Sequence, residues 1–494
     1  MKSALSLIAT YIVVFMQMLD TSIVALALPR MASGLQIDVY DSVWIMTSFG
    51  IGIASAFAMV KIVSAQFGVN LTFKYSMLVF IAFSVACGWF DDIYYFLFCR
   101  YFQGLSSGFL VLLSQSIFIK LLGNDKRAMA FSMWGSAVAI APVLGPFVGG
   151  VMTEKFGWES LFFVNLPIIT FSYLILDRQL QADDKPEASE NINFSATIWL
   201  VVFIIALQLA IDFGEKYHWF ESNYIVILFA LAIVALLSFF YTNNRGAGGS
   251  TALDFSVFKH REFAIFALLG ALGHGIVFAS LIYLPTWLQA SYGMPIIESG
   301  VVVAIGGIAT FLVSPMVGKI RSPKHHYLLL VTALLLIAIS FLAMTTYKTD
   351  SSLAQLVVPR LLMGVGLAMF YSPLSSISFA KLSQTEIVNA NAILLILRVV
   401  ITNICMSFTY QLMRIYMHSA YQETAVNNMN SHLPELRDTY IAQYYWVMNS
   451  ASTQALQQIF YIAFVAFVIM FLYLTPLCFK QFSNHRLLNL DKTS

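Results

Sequence analysis

Residues 135–150 read GSAVAIAPVLGPFVGG, and the reading of this stretch decides what the chain is. Gly135, Gly145, Gly149 and Gly150, with Pro142 and Pro146, interrupt a run that is otherwise apolar. Glycine removes the side chain that would hold two helices apart, and proline removes a backbone donor and bends a helix. A membrane-spanning helix tolerates both only where neighbouring helices or a water-lined cavity satisfy the freed backbone groups. The stretch predicts a close-packed, bendable transmembrane helix at a moving interface. A kinked packing helix with no part in transport is the other reading, and the residues around it decide between the two.

The chain has 494 residues, 59% hydrophobic and 11% charged, with a mean hydropathy of +0.78. A soluble domain carries roughly 25% charged residues, so a soluble globule is excluded. A net charge of +2 leaves no bulk charge for nucleic acid. Cys87, Cys99, Cys405 and Cys478 fall in apolar runs or at their ends and form neither a metal spacing nor a disulfide framework. There is no His-Glu-x-x-His pair, and no metal, cofactor or catalytic residue is expected. The apolar run from Lys2 to Leu28 is too long for a signal-peptide core, carries Asp20 and lacks a small-residue cleavage site, so it reads as the first retained span.

A helix needs about 20 apolar residues to cross the hydrocarbon layer. About fourteen such segments are present, at 5–28, 43–63, 73–90, 93–119, 128–152, 160–176, 194–213, 223–242, 262–284, 298–318, 327–347, 355–380, 389–415 and 455–478. With the N-terminus inside, about 18 Lys and Arg fall in inner loops and tails against about 6 outside, as the positive-inside rule requires. An even count places both termini in the cytoplasm. The loop 177–193 is acidic and expected to be mobile. The outer loop 418–452 is polar and reads as a solvated linker or a docking surface.

Two segments repeat. CRYFQGLSSGFLVLLSQSIFIKL (99–121) and PRLLMGVGLAMFYSPLSSISFAKL (359–382) align Arg100 with Arg360, Gly104 with Gly364 and Lys120 with Lys381. Each is the fourth span of a six-span half. The chain therefore divides into an N-terminal bundle (1–176), inserted spans seven and eight with their loops (177–261), a C-terminal bundle (262–478) and a tail (479–494). Parallel repeats place a substrate site near the midplane, between the halves.

A charge at the bilayer centre costs on the order of several kcal/mol, so such residues have partners and work. Asp20 lies about two turns from the outer end of span one and Arg100 about two turns into span four. Asp20 is read either as a proton-titrating carboxylate or as half of a fixed ion pair with Arg100. Asp212, near the outer end of span seven and so closer to water, is a further proton candidate. Glu298, which opens span ten, reads as interfacial. Arg398, in span thirteen, stays charged and reads as a helix tie. His274 titrates near neutrality and is a secondary proton candidate, or else a packing histidine between two glycines.

LDTSIVALALP in span one, RYFQG in span four and GPFVGG in span five resemble the fourteen-helix drug:proton antiporters of the major facilitator superfamily, and EmrB-type exporters in particular. GWESLFFVNLP (157–167), IDFGEKYHWF (211–220), DFSVFKHREFAI (254–265), YLPTWLQASYG (283–293) and Arg398 in LLILRVV extend the resemblance over nearly the whole chain. It implies an all-α fold of two six-helix bundles plus two helices. It also implies that Asp20 and Arg100 are the motif pair of helices one and four, that Gly145, Pro146, Gly149 and Gly150 form the antiporter motif, and that Asp212 precedes the seventh-helix turn. A periplasmic adaptor and an outer-membrane channel are implied as partners, and a bacterial inner membrane as location. One departure stands out. The charged latch motif between helices two and three reads KIVSAQFGVNLTF (61–73), with Lys61 at a glycine position, Ala65, Gln66 and Leu71 in place of charges, and Gly68 retained. The second-half counterpart, SPMVGKIRSPKHH (314–326), keeps Gly318 and Lys319.

The expected activity is proton-coupled export of amphipathic compounds by alternating access, in spans rich in Phe, Tyr and adaptable Met. A dedicated exporter of one metabolite, such as a siderophore or fatty acid, is not separated from it by sequence. A non-transporting receptor has only the degraded latch in its favour. A membrane enzyme would need clustered His, Asp and Glu at one membrane face, whereas here they are scattered singly.

Overall fold

The computed structural model describes residues 2–39, 41–123, 126–180, 194–244, 253–320, 323–429 and 437–490. Among these residues sixteen α-helices follow one another: α1 (Lys2–Gly34), α2 (Val43–Phe67), α3 (Val69–Trp89), α4 (Ile93–Leu122), α5 (Arg127–Phe156), α6 (Ser160–Phe163), α7 (Asn165–Asp177), α8 (Phe194–Gly214), α9 (Asn223–Asn244), α10 (Arg261–Ile282), α11 (Leu284–Ala290), α12 (Ile296–Gly318), α13 (Pro323–Met344), α14 (Leu353–Phe379), α15 (Gln384–Met429) and α16 (Arg437–Leu490). Short 3₁₀ turns lie at Trp219–Glu221 and Phe255–Lys259, and there is no strand among the described residues.

Helices form here because a chain in hydrocarbon must satisfy its backbone internally. Thirteen helical stretches among the described residues are long and apolar enough to cross a membrane. The 30-residue α5 holds the remaining expected position, as one uninterrupted helix through Gly135, Pro142 and Pro146. The outward residues are as apolar as the buried ones. On α9, Ile225, Ala232, Ala235 and Phe239 are buried while Ile227, Val234 and Leu237 are exposed. Such a face suits lipid and would be an aggregation surface in water.

The helix ends are set locally. The Asp92 side chain caps α4, accepting from the Tyr94 and Tyr95 amides at 2.9 and 3.1 Å. Ser352 and Gln355 form a capping box at the start of α14. The turn between α2 and α3, where the latch motif would lie, is the single residue Gly68 at φ 82°. A side chain is strained in that left-handed region, which accounts for the survival of this glycine alone.

The chain separates into two compact units, residues 1–255 with 388–407, and residues 256–387 with 408–494. In the first, α2 and α3 pack on α4, α1 packs on α5, α7 and α4, and α8 packs on α9 and α2. In the second, α12 and α13 pack on α14, and α10 packs on α14 and α16. Second and third helices thus pack on the fourth in each unit, as the repeat of Arg100 and Arg360 requires.

The segment 418–452, expected to be an outer loop, is not a loop over most of its length. α15 runs for 46 residues, to Met429, and α16 begins at Arg437. At 1.5 Å per residue α15 is about 69 Å long, more than twice the hydrocarbon thickness. Polar composition argued for coil, but a helix already nucleated in the span continues at low cost. The acidic stretch 181–193 lies outside the described residues. The tail is helical as far as Leu490.

Candidate proton-coupling site

Four helices and the loopless α6–α7 turn bring one polar cluster together inside the first unit. α1 supplies Asp20, α3 Ser84, α4 Arg100 and Gln103, and α7 Asn165, all 0% exposed. Arg100 Nη1 donates to Asp20 Oδ2 at 3.1 Å and to Gln103 Oε1 at 2.5 Å. Arg100 Nε reaches the Ile45 carbonyl of α2 at 3.5 Å. Asn165 Nδ2 donates to Asp20 Oδ1 at 2.8 Å, and Gln103 Nε2 to Ser84 Oγ at 2.7 Å. The guanidinium lies over the Phe49 ring at 4.2 Å and the Phe162 ring at 5.5 Å. Aromatic faces stabilise a cation without offering it a proton acceptor.

The chemistry of this arrangement is a sealed ion pair with two amides as its frame. A proton on Asp20 would leave Arg100 charged and uncompensated in an apolar core, which is costly. Three residues before Asp20, Gln17 is fully buried with neither amide atom partnered, and Arg100 Nη2 and Asn165 Oδ1 are likewise buried without partners. Gln103 and Asn165 were within quoted motifs, RYFQG and GWESLFFVNLP, but neither carries a charge to mark it. Their relation to Asp20 depends on how three helices pack.

Asp212 sits in a second cluster of the same unit. It is 3% exposed, although its place near a span end suggested contact with water. Thr47 of α2 donates to Oδ2 at 2.8 Å and Gln208 of α8 to Oδ1 at 2.8 Å. Ser407 of α15 donates to Oδ1, and Gln208 Nε2 donates to Ser407 Oγ at 2.9 Å. Trp44 Nε1 donates to the Asp212 carbonyl at 3.3 Å. All three side-chain donors are neutral, and among the described residues no cation pairs with Asp212.

The other expected residues divide. On α5, Gly145 and Gly149 face α1: a Cβ on Gly149 would lie 2.9 Å from the Ile23 carbonyl, and one on Gly145 would overlap Ser22 Oγ. Pro146 and Gly150 are buried beside them. Gly135 has open space around it and takes no part in close packing. The side chain of Pro142 lies outside the described residues. In the second unit, His274 Nδ1 and the Tyr371 hydroxyl are 2.6 Å apart, with Phe278 against the imidazole at 4.6 Å between ring centroids. Arg360 of α14 donates through Nη2 to the Val303 carbonyl at 2.7 Å, and Gly364 abuts the Gly306 carbonyl. Arg398 is half-buried on α15, and Glu298 is exposed in the first turn of α12. Among the described residues no group of His, Cys, Asp and Glu is arranged to hold a metal ion.

Comparison with known proteins agrees with this architecture. The chain is 26% identical over 477 residues to the probable multidrug resistance protein EmrY of Escherichia coli K12, covering 94% of this chain and 93% of that one. It is 28% identical to the multidrug export protein EmrB of the same organism, over 86% of this chain and 83% of that one. It is 29% identical to the fatty acid resistance protein FarB of Neisseria gonorrhoeae, over 80% and 77%. Among solved structures, a bacterial homologue of the human lysosomal transporter Spinster, inward-facing and occupied, superposes with a TM-score of 0.61 at 16% identity over 96% and 97% of the two chains. A peptide transporter, POT, gives 0.63 at 15% identity over 96% and 94%. Residues 10–401 match the model of the Major Facilitator Superfamily. With its transporter neighbours, its apolar helices and its duplicated fourth helix, the chain belongs to the Major Facilitator Superfamily.

Proposed function

We propose that the protein is a proton-coupled antiporter that exports amphipathic compounds across a bacterial inner membrane by alternating access, with both termini cytoplasmic. The observation that carries this reading is the fully buried Asp20–Arg100 pair, framed by Asn165 and Gln103. Protonation of Asp20 from the outer side loosens its tie to Arg100, and substrate leaves. Release of the proton to the cytoplasm restores the pair and a cavity that accepts substrate. Each inward proton also brings about 2.3 kcal/mol per 100 mV of membrane potential. Asp212 is the second proton site, with Thr47, Gln208 and Ser407 positioning its carboxyl. His274 and Tyr371 form a secondary relay.

The division into bundles 1–176 and 262–478 with an insert at 177–261 belongs to the same reading. So does a tripartite assembly with a periplasmic adaptor and an outer-membrane channel, which rests on the family resemblance. A dedicated exporter of one amphipathic acid is the second reading, favoured by the name of the FarB relative.

The test is reconstitution into vesicles with a pH dye inside, an imposed proton gradient and a panel of cationic and acidic amphiphiles. Substrate-triggered proton movement that vanishes in Asp20→Asn is the expected result. Movement triggered by a single acid only would select the dedicated exporter. Movement unaltered in Asp20→Asn would transfer the coupling role to Asp212. An absence of movement with folded, ligand-binding protein would sink the antiport reading.

A further inference from the structure

Asp20 is sealed from water, yet the antiport scheme requires its proton to leave. A polar seam runs from it between α1, α3 and α7. On α1, Ser6, Thr10, Gln17 and Asp20 follow one another at spacings of four, seven and three residues, which puts them on one helix face, and all four are buried. α7 packs on both α1 and α3, and its buried face carries Asn165 and Ser172. Contacts at both ends fix the register. At one end Asn165 Nδ2 donates to Asp20 Oδ1 at 2.8 Å and to Ser84 Oγ of α3 at 3.5 Å. At the other, Ser6 Oγ donates to Gln179, just beyond α7, and Lys74 of α3 pairs with Asp177 at 2.8 Å. Fourteen residues separate the two ends on α1 and again on α7, so the seam is about 21 Å long. Ser172 stands seven residues from either end, level with the gap between Thr10 and Gln17. Ser76 of α3, eight residues before Ser84, is buried at about the same height.

Packing does not require these polar groups. In the second unit the corresponding first, third and sixth helices of the half are α10, α13 and α16, and α16 packs on the other two. There Leu334, Ile337 and Phe341 of α13 are buried, and Phe341 lies against Phe460 and Phe467 of α16 at 6.1 and 5.8 Å between centroids. The polar seam is thus in the unit that holds the buried carboxylate. Within it Thr10, Ser76 and Ser172 each donate to a carbonyl of their own helix, at 2.8, 2.8 and 3.0 Å, which leaves their oxygens able to accept. Both amide atoms of Gln17, three residues before Asp20, are buried without a partner, as is the Thr72 hydroxyl. Charged side chains on the three stretches stand only at their ends, Asp20 at one and Lys74, Asp177 and Arg178 at the other.

We propose that this seam is the route by which the Asp20 proton leaves toward the end where α1 begins, with Gln17 positioning the water that takes it. The inference rests on the antiport reading. The carboxyl O–H of Asp20 breaks and its proton passes to that water. The charge then moves by proton hops over water and the hydroxyls of Ser172, Ser76 and Thr10 to bulk water beside Ser6 and Gln179. The carboxylate left behind re-forms its bond with Arg100. A polar lining admits water when the pair has parted, whereas an apolar one stays dry. While the pair is intact the lining side chains are packed and buried, which keeps the route from leaking.

The experiment uses the full chain in vesicles with a pH dye inside, and tetraphenylphosphonium or sodium octanoate as the amphiphile that drives proton movement. Gln17→Leu and Ser172→Ala are each expected to slow the movement about tenfold or more, with amphiphile binding, read by tryptophan fluorescence in detergent, unchanged. Gln17→Leu removes an amide that has no partner, so the fold should tolerate it. Gln17→Asn and Ser172→Thr keep a polar group and should retain most of the rate. Leu174→Ala, on the exposed face of α7, is the control and should change neither readout. Unaltered rates in Gln17→Leu and Ser172→Ala, with Asp20→Asn inactive, would overturn the route and leave the antiport reading standing. Equal slowing by the polar and apolar replacements would also overturn it, because packing would then account for the loss. Movement absent from the unaltered chain would overturn both.

Discussion

Asp20 and Arg100 show what one residue can do once it is buried. In water the pair would contribute little, whereas at 0% exposure removing either partner strands the other. Asp20→Asn and Arg100→Gln are each expected to cost about 3–5 kcal/mol. The double variant is expected to cost much less than their sum, because it leaves no uncompensated charge. Thermal or denaturant unfolding of the four proteins in one detergent measures the coupling. Additive losses would mean that the bond at 3.1 Å contributes nothing beyond packing. Their partners were only half legible in sequence. The charges stand out in apolar spans, but Gln103 and Asn165 look like any polar residue until α3, α4 and α7 are packed around Asp20.

At the scale of the element, glycine position separates tight contacts from incidental ones. A Cβ on Gly104 would overlap the Phe49 carbonyl, and one on Gly364 the Gly306 carbonyl, both backbone atoms that cannot turn aside. Gly104→Ala and Gly364→Ala are each expected to destabilise by about 1–3 kcal/mol or more, through displacement of α2 or α12. Gly135→Ala meets nothing within 4 Å and should be neutral, or stabilising by up to about 1 kcal/mol through helix propensity. Equal losses in unfolding experiments at positions 104 and 135 would contradict this account. At the start of α15, Ser383 and Glu386 form a capping box. The Ser383 amide and hydroxyl, and then His260, hold the Glu386 carboxyl below its ordinary value of 4.5. Its folded-state pKa is therefore depressed. The stabilisation is complete above the unfolded value and is lost as pH falls through the folded one. Amide exchange in the first turn of α15 should rise above its intrinsic pH trend only on acidification below that ordinary value, and Ser383→Ala should move the onset upward. An onset near neutrality would contradict the assignment to Glu386.

For the whole molecule, the inserted helices are part of the first unit rather than an appendage. α8 packs on α2, and Asp212 joins Thr47 of α2 to Ser407 of α15. Deletion of 194–244 should therefore destabilise the first unit, exposing the α2 face and leaving Thr47 and Ser407 without their shared acceptor. Size-exclusion profiles of the tagged protein in detergent test this. A deletion variant as monodisperse and heat-stable as the full chain would show that the insert is dispensable. The long α15 belongs to the same scale. Its polar C-terminal part is helical because the apolar span before it has already nucleated the helix, a cooperative effect that a residue-by-residue reading of 418–452 does not register.

The sequence alone determined the apolar spans, the duplication and the family, because each follows from a property of single segments. Hydrocarbon thickness sets span length, and the Arg-x-x-x-Gly spacing survives in both halves. Only the tertiary structure decided which polar residues are partners. It gave Arg100 a carboxylate and left Arg360 with a thioether and a carbonyl, buried Asp212 despite its place at a span end, and put Gly149 but not Gly135 against another backbone. Those outcomes depend on the facing of one helix toward another. In chains that are apolar on every side, hydrophobic periodicity carries no record of that facing.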